Sequence, residues 1–262
     1  YMTGTMYLAA ELLFNYFLIN KDNIMEKLIY MDNAATTSTA PEVVSAMLPF
    51  FTEYYGNPSS VYNFAQKSKM AIEDAREIIA DSIGAAKSNE IYFTGGGSES
   101  DNWALKSAAF GLRDKGNHII TTKIEHHAIL NTCAYLEKNG FEVTYLDVDS
   151  EGFVSLEDVE NAITEKTILI SVMFANNEIG TIEPVCEIGE IAHKHGILFH
   201  TDAVQAMCHV PINVTEMNID LLSASAHKFH GPKGVGFMYM KNSAKLEPFI
   251  HGGAQERARR AG

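Results

Sequence analysis

From residue 41 onward, two hydrophobic patterns alternate along the chain. Apolar residues recur every three or four positions in some stretches, as in amphipathic helices, and form short continuous runs in others, as in buried strands. The first pattern predicts helices over 41–54, 62–83, 98–113, 127–138, 155–164 and 184–195. The second predicts strands over 91–93, 118–122, 141–148, 167–173, 197–201, 219–223 and 234–240. Because helical stretches separate most of these strands, we expect an α/β fold with a mostly parallel sheet that is covered on both faces.

The most apolar stretch of the chain precedes this alternating region. Its apolar run over 6–19 is shorter than the roughly 20 residues that a membrane span needs. No lysine or arginine precedes Lys21, as a signal peptide would require. We therefore expect residues 1–24 to be an amphipathic N-terminal extension without a catalytic role. Residues 25–40 would form an N-terminal segment, and residues 41–262 one large domain.

Composition and charge narrow the classes of function. The chain has 262 residues, 33 of them acidic and 20 Lys or Arg, and its formal net charge is −13. An acidic protein is a poor partner for nucleic acid or an anionic membrane, so we expect neither. Three cysteines are too few for a disulfide framework and favour a reducing, cytoplasmic location. We expect Cys133, Cys186 and Cys208 to be small buried hydrophobic residues.

Glycines follow the first predicted strand and precede a helix. The segment Gly95-Gly96-Gly97-Ser98 lets the backbone approach a ligand, and free N–H groups at the start of the helix favour an anion such as phosphate. The loop lacks the lysine of a Walker motif and the spacing of a dinucleotide-binding motif. A flexible strand-to-helix turn is the alternative interpretation.

Polar residues also cluster where four other predicted strands end: Glu125-His126-His127, Asn176-Asn177-Glu178, Asp202 with Gln205, and Ser225-Ala226-His227-Lys228. Each motif alone has a structural explanation, such as a helix cap. In a parallel sheet, however, ligands bind beyond the carboxyl ends of the strands, so these motifs would face one crevice. Together they match a ligand with a phosphate, a protonatable ring nitrogen and a carbonyl that a lysine can attack. Pyridoxal phosphate (PLP) has all three groups.

At these residues the chain resembles the cysteine desulfurases, within the class V aminotransferase family of fold-type I PLP enzymes. The resemblance covers residues 30–262 and rests on motifs that occur in the family's order: YMDNAATT (30–37), GNPSS (56–60), FTGGGSESDN (93–102), EHHAI (125–129), NNEIG (176–180), HTDAVQ (200–205), SASAHKFHGPKGVG (223–236) and HGGAQERARRAG (251–262). It implies the three-layer large domain of fold-type I enzymes.

The resemblance also implies roles for individual residues. Lys228 would bind PLP covalently and move the α-proton of the substrate, and His126 would stack on the ring and take part in proton transfer. Asp202 would pair with the pyridine nitrogen, and Gln205 would hydrogen-bond the ring hydroxyl. The phosphate would lie on Gly97, Ser98, Ser225 and His227. Asn177 would lie beside the ring hydroxyl and the substrate, and the substrate would also contact Asn33 and Ala34.

The implied reaction removes sulfur from L-cysteine. A cysteine thiolate of the enzyme would take the sulfur as a persulfide, alanine would leave, and the sulfur would pass to an acceptor such as an iron–sulfur scaffold protein. The family works as a homodimer, so we expect a homodimer. The sequence does not choose between a housekeeping and a nitrogen-fixation role.

Several positions depart from the family pattern. The loop reads GGGSES where S-G-A-T-E-S is common, Tyr62 stands where a histidine often follows NPSS, and Ala254 and Ala258 replace glycines. The loop that carries the family's persulfide cysteine, an arginine that binds the substrate carboxylate and most of the small C-terminal domain would lie beyond Gly262. We therefore expect a truncated desulfurase that binds PLP without completing sulfur transfer.

Three alternatives stay open at this stage. A selenocysteine lyase or another class V aminotransferase would share the fold and the cofactor. An inactive remnant would keep only a surface for dimerisation or for a partner. The histidine motifs 126–127, 193–195 and 227–230 suggest a metal site, but the resemblance already uses His126 and His227, and we expect no metal.

Overall fold

The computed structural model describes residues 29–244 and 246–262. The chain divides into two compact units, Tyr1–Asn33 and Ala34–Gly262. The expectation for residues 1–24 lies outside the described residues. Within the described part, no helix combines the length and the apolar character that crossing a membrane requires.

The helices and strands follow the order that the hydrophobic pattern predicts. The helices are α1 (Pro41–Thr52), α2 (Asn63–Ser82), α3 (Gly97–Gly111), α4 (His127–Glu137), α5 (Leu156–Asn161) and α6 (Val185–Lys194), with short 3₁₀ turns at Ser88–Glu90 and Ala226–Lys228. The strands are β1 (Ile91–Thr94), β2 (His118–Thr122), β3 (Glu142–Leu146), β4 (Thr167–Ser171), β5 (Leu198–Asp202), β6 (Leu221–Ser225) and β7 (Gly236–Met240). The sixth strand begins two residues later than predicted.

The seven strands form one sheet in the order β1-β7-β6-β5-β4-β2-β3. Strands β6, β5, β4, β2 and β3 pair in parallel, whereas β7 is antiparallel to both of its neighbours, β6 and β1. Six strands therefore point the same way, and β7 alone is reversed. This confirms the mostly parallel sheet.

Two hydrophobic clusters cover the two faces of the sheet. Neighbouring strand residues alternate between them: Ile120 packs in the cluster that α2, α5 and α6 cover, and Ile119 in the cluster that α3 and α4 cover. Leu222 and Leu221 alternate in the same way. The strands read as continuous apolar runs because both of their faces are buried. The result is the three-layer α/β architecture.

The C-terminal motif, residues 251–262, covers the free edge of β1, the first strand of the sheet. Glu256 Oε2 accepts a hydrogen bond from the backbone N–H of Phe93 at 2.9 Å. Arg76, which is buried, donates to the carbonyl of Ile91 at 2.7 Å and binds both carboxylate oxygens of Glu256, at 2.7 and 2.9 Å. An exposed strand edge offers unpaired N–H and C=O groups to other chains, and these contacts satisfy them.

The motif makes one left-handed turn over Gln255–Ala258. Glu256, Arg257 and Ala258 have φ values of 43°, 57° and 59°. Of the two alanines that replace glycines of the family pattern, Ala254 has φ −83°, which any residue adopts, and only Ala258 lies in the left-handed region. The departure therefore matters at Ala258.

We expect Ala258→Gly to stabilise the fold. A Cβ in the left-handed region costs roughly 1–2 kcal/mol, and glycine removes that cost. The larger conformational entropy of glycine in the unfolded state offsets part of the resulting stabilisation. The free energy of unfolding, measured with urea, should rise by about 0.5–1 kcal/mol. The matched control Ala254→Gly should lower it by a similar amount, because glycine gains nothing there. Equal effects of the two substitutions would contradict this account of the turn.

Candidate active site

The carboxyl ends of five strands bring the predicted motifs to one edge of the sheet. The glycine-rich loop follows β1, His126 lies between β2 and α4, and Asn177 follows β4. Asp202 is the last residue of β5, and Lys228 ends the 3₁₀ turn that directly follows β6. Their placement follows from the common direction of these five strands.

A cavity of about 510 Å³ lies at the start of α3. Its lining residues are Thr36, Gly95, Gly96, Gly97, Ser98, Glu99, Ser225, His227, Lys233 and Gly234. The first N–H groups of a helix have no partner within the helix, and α3 starts at Gly97. Burial, then the charges of Lys228 and Lys233, lower the pKa of His227. N–H donors, hydroxyls and lysines are the donor set that a phosphate requires.

Glycine is required at two positions of this loop. Gly96 has φ +149°, in a region that side chains rarely adopt. A Cβ on Gly97 would lie 2.5 Å from Cγ2 of Val204, two residues after Asp202. The glycines therefore let the start of α3 pack directly against the chain that leaves β5.

The amine of Lys228 is held by two backbone carbonyls. Its Nζ donates to the oxygen of Ala34 at 2.5 Å and to that of Ala35 at 3.0 Å. Gln205 Nε2 donates to the same oxygen of Ala34 at 2.8 Å. Three residues that the sequence assigns to the cofactor and the substrate thus meet at one carbonyl. Asn33 belongs to the other unit, so the structure adds nothing to its assignment.

Asp202 is a buried carboxylate with positive partners. One oxygen accepts the backbone N–H of Val204 at 2.9 Å. Burial raises the pKa of Asp202, while the Val204 N–H and the charges of His126 and Lys228 oppose that shift. A buried carboxylate at a site that faces a lysine and a histidine is suited to hold a cationic ring nitrogen.

Two further buried acids lie near Asp202, and sequence reasoning gave them no role. Asp101, from α3, is 1% exposed, and burial and then the charge of Asp202 raise its pKa well above the ordinary value. Burial raises the pKa of Glu125 to about 8, although the Met173 N–H and the Thr122 hydroxyl, which bind its Oε1 at 2.9 and 2.8 Å, oppose the shift. The sequence does carry a signal that Asp101 is buried, because Asp101 falls on the face of α3 that the buried apolar residues occupy.

His126 caps a helix and also lies close to two buried acids. Its Nδ1 accepts the N–H of Ala128 at 3.1 Å and so caps α4. The same side chain forms a group with Asp101 and Asp202 in which one N or O atom from each residue lies within 4.8 Å of the others. In the described part of the chain, these are the three His, Cys, Asp or Glu side chains that lie close enough together to hold a metal ion. His193 and His195 pair instead with Asp220 and Glu160, at 3.2 and 3.6 Å.

The remaining predicted residues differ in how the structure supports them. Ser98, Ser225 and His227 line the cavity, and His227 Nδ1 lies 3.0 Å from the hydroxyl of Thr36. Asn177 is half-buried, and its Nδ2 donates to Oε1 of its neighbour Glu178 at 2.6 Å.

The expectation that all three cysteines are buried is wrong. Cys133 is fully buried, and burial raises the pKa of its thiol to about 12. Cys186 is half-buried and Cys208 is exposed. Cys208 has φ 65° in the loop after β5, and a tight turn of this kind leaves its side chain outside the core.

Comparison with known proteins gives consistent matches. The model of the class-V aminotransferases matches residues 29–259. The chain is 65% identical over 237 residues to "Cysteine desulfurase IscS" of Clostridium botulinum. This match covers 90% of this chain and 59% of that protein. The chain is 63% identical to "Cysteine desulfurase IscS" of Methanosarcina thermophila, with 90% and 58% covered. The solved structure "SspA in complex with cysteine" is 46% identical, with a TM-score of 0.87, and the match covers 90% of this chain and 68% of that one.

The chain thus spans about three fifths of the length of the curated relatives that it matches. The fold agrees with that of the solved structure over the matched residues.

We expect the pH dependence of stability to report the raised pKa of Glu125. Between pH 5 and about 8 the folded state holds a proton on Glu125 that the unfolded state has lost. The free energy of unfolding therefore falls as pH rises through this window, by up to about 1.4 kcal/mol per pH unit. Glu125→Gln carries no proton, so urea unfolding should show a shallower slope.

Asp149→Asn is the control for that measurement. The N–H groups of Phe153 and Glu151 lower the pKa of the exposed Asp149, so its titration lies in acid and the slope between pH 5 and 8 should not change. Identical slopes for Glu125→Gln and the unsubstituted chain would contradict the assignment.

Proposed function

The chain belongs to the class-V aminotransferase family, a family of PLP-dependent enzymes, and we propose that it is the PLP-binding part of a cysteine desulfurase. The observation that carries the proposal is the position of Lys228. Its Nζ is held by the carbonyls of Ala34 and Ala35, and its charge opposes the rise in the pKa of the buried Asp202. It directly follows His227, which lines the cavity with the donor set for phosphate.

The residues present fit PLP. Lys228 would bind the cofactor, Asp202 would hold the pyridine nitrogen, and Gln205 would bind the ring hydroxyl. The phosphate would lie at the start of α3, on the residues Gly97, Ser98, Ser225 and His227. His126, which lies close to Asp202, would stack on the ring. When bound, PLP supplies an electron sink that stabilises negative charge at the α-carbon of an amino acid.

The chain's own residues provide binding and proton transfer. The carbonyls of Ala34 and Ala35 orient the amine of Lys228, which would take the α-proton of the substrate. The buried carboxyl of Asp202 would pair with a positive charge at the ring nitrogen. His126 would exchange protons; its side chain is exposed, and a ring nitrogen lies within 4.8 Å of a carboxylate oxygen of Asp202.

The substrate assignment to L-cysteine is supported by the relatives. Two of them are named cysteine desulfurases, and one solved structure of the same fold is a complex with cysteine. Asn33, Ala34 and Asn177 would contact that substrate. From the family resemblance alone we also propose a homodimer with an iron–sulfur scaffold protein as sulfur acceptor, and from the few cysteines a cytoplasmic location. The division into residues 1–24, 25–40 and 41–262 belongs to the same proposal.

The test is exchange of the α-proton, which does not depend on completed sulfur transfer. The PLP-loaded chain, incubated with L-cysteine in deuterium oxide, should exchange the α-proton, followed by NMR. Lys228→Ala should lower the rate by about 10²–10⁴-fold, because a positioned base contributes that much. D-cysteine is the control substrate and should not exchange.

Other outcomes separate the rival functions. Accumulation of pyridoxamine phosphate would identify an aminotransferase, and exchange of selenocysteine alone would identify a selenocysteine lyase. A chain that takes up no PLP would be an inactive remnant, and the proposal would be wrong.

A further inference from the structure

An ion pair joins the C-terminal motif to the glycine-rich loop. Arg260 donates from Nε to Glu99 Oε1 at 2.7 Å and from Nη2 to Glu99 Oε2 at 3.1 Å, which is a two-point contact. Glu99 Oε2 also accepts the backbone N–H of Gly95 at 2.8 Å. The side chains of Arg260 and Glu99 are only 19% and 20% exposed. Planar two-point pairs of this kind have a fixed geometry.

The backbone fixes the position of Arg260 as well. Arg260 forms a β-bridge with Ile250, and the N–H of Ala261 donates to the carbonyl of Ile250 at 3.0 Å. Upstream, Glu256 is held by Arg76 and by the N–H of Phe93. The motif therefore reaches the glycine-rich loop as an ordered segment rather than through one long side chain.

Glu99 presents an electrostatic difficulty for an anion site. It is one of the residues that line the cavity at the start of α3. An unpaired carboxylate there would repel a phosphate, and the repulsion would be strong because water screens little inside a cavity. The guanidinium of Arg260 cancels that charge. The hydrogen bond to Glu99 in turn raises the pKa of Arg260, which stays cationic.

We propose that Arg260 is a positioning residue for the anion cradle, by which we mean the glycine-rich loop and the start of α3. Arg260 neutralises the charge of Glu99 and keeps the Glu99 carboxylate hydrogen-bonded to the N–H of Gly95. The remaining N–H groups of the loop then face a phosphate. Arg260 acts through Glu99 and not by contact with the ligand, since two of its nitrogens are engaged by Glu99 and Nη1 donates to the carbonyl of Gly262 at 2.7 Å. For PLP as the ligand, the inference rests on the proposed function.

The experiment compares ligands with and without a phosphate. Dissociation constants of PLP and of pyridoxal, which lacks the phosphate, are measured for the unsubstituted chain, Arg260→Gln, Glu99→Gln and the double variant. Arg260→Gln should weaken PLP binding at least about 30-fold, the lower end of the effect expected when one charge of a buried pair loses its partner. Pyridoxal binding should change less than about threefold, since it carries no phosphate charge.

The double variant distinguishes charge from structure. Removal of both partners leaves no unpaired carboxylate, so PLP binding should return to within about threefold of the unsubstituted chain. The matched control is Arg257→Gln: Arg257 belongs to the same turn but donates to the carbonyls of Asn89 and Ile91 and does not line the cavity. Arg257→Gln should weaken the binding of PLP and of pyridoxal by the same factor, or leave both unchanged.

Inorganic phosphate provides a readout without PLP. Phosphate should raise the melting temperature of the unsubstituted chain, and Arg260→Gln should lose that protection. If PLP does not bind but this pattern holds, the proposed function fails and the anion cradle stands. Equal weakening of PLP and pyridoxal by Arg260→Gln, or a double variant no better than Arg260→Gln, would overturn the inference.

Discussion

The common direction of six strands is the constraint on which the rest of the molecule depends. Because β7 alone runs the other way, the carboxyl ends of β1, β2, β4, β5 and β6 meet along one edge of the sheet. Each strand delivers one kind of group there: backbone donors, an imidazole, an amide, a carboxylate and an amine. No single motif defines the site, and its chemistry arises from their convergence.

Electrostatics at this edge is organised by burial. Asp101, Glu125 and Asp202 are all buried within one region, and burial raises the pKa of each. Nearby carboxylates in a dry environment do not ionise together at little cost. Of the three, Asp202 is the one for which the charges of a lysine and a histidine, Lys228 and His126, oppose the rise in pKa. A negative charge therefore costs less at Asp202, where a cationic ring nitrogen would bind, than at the other two acids.

The sequence alone predicted the sheet and the polar motifs that meet at one edge of it, because both depend on local patterns. Buried strands read as apolar runs, and the polar residues directly after them, such as Asp202 and Lys228, mark the ligand edge. Features that depend on pairing across the fold were not predictable. Nothing local indicates that β7 is antiparallel, that Asp101 lies beside Asp202, or that Arg260 binds Glu99. The cysteine prediction failed at Cys208 because a general tendency to burial does not apply in a tight turn with positive φ.

The central claim, that this edge binds PLP through Lys228, is tested most directly by mapping the lysine that carries the cofactor. The chain is loaded with PLP, reduced with borohydride and digested, and the modified peptide is identified by mass spectrometry. The account predicts a single modified lysine, Lys228. Modification of Lys233, the lysine that lines the cavity, or no stable modification at all, would contradict it.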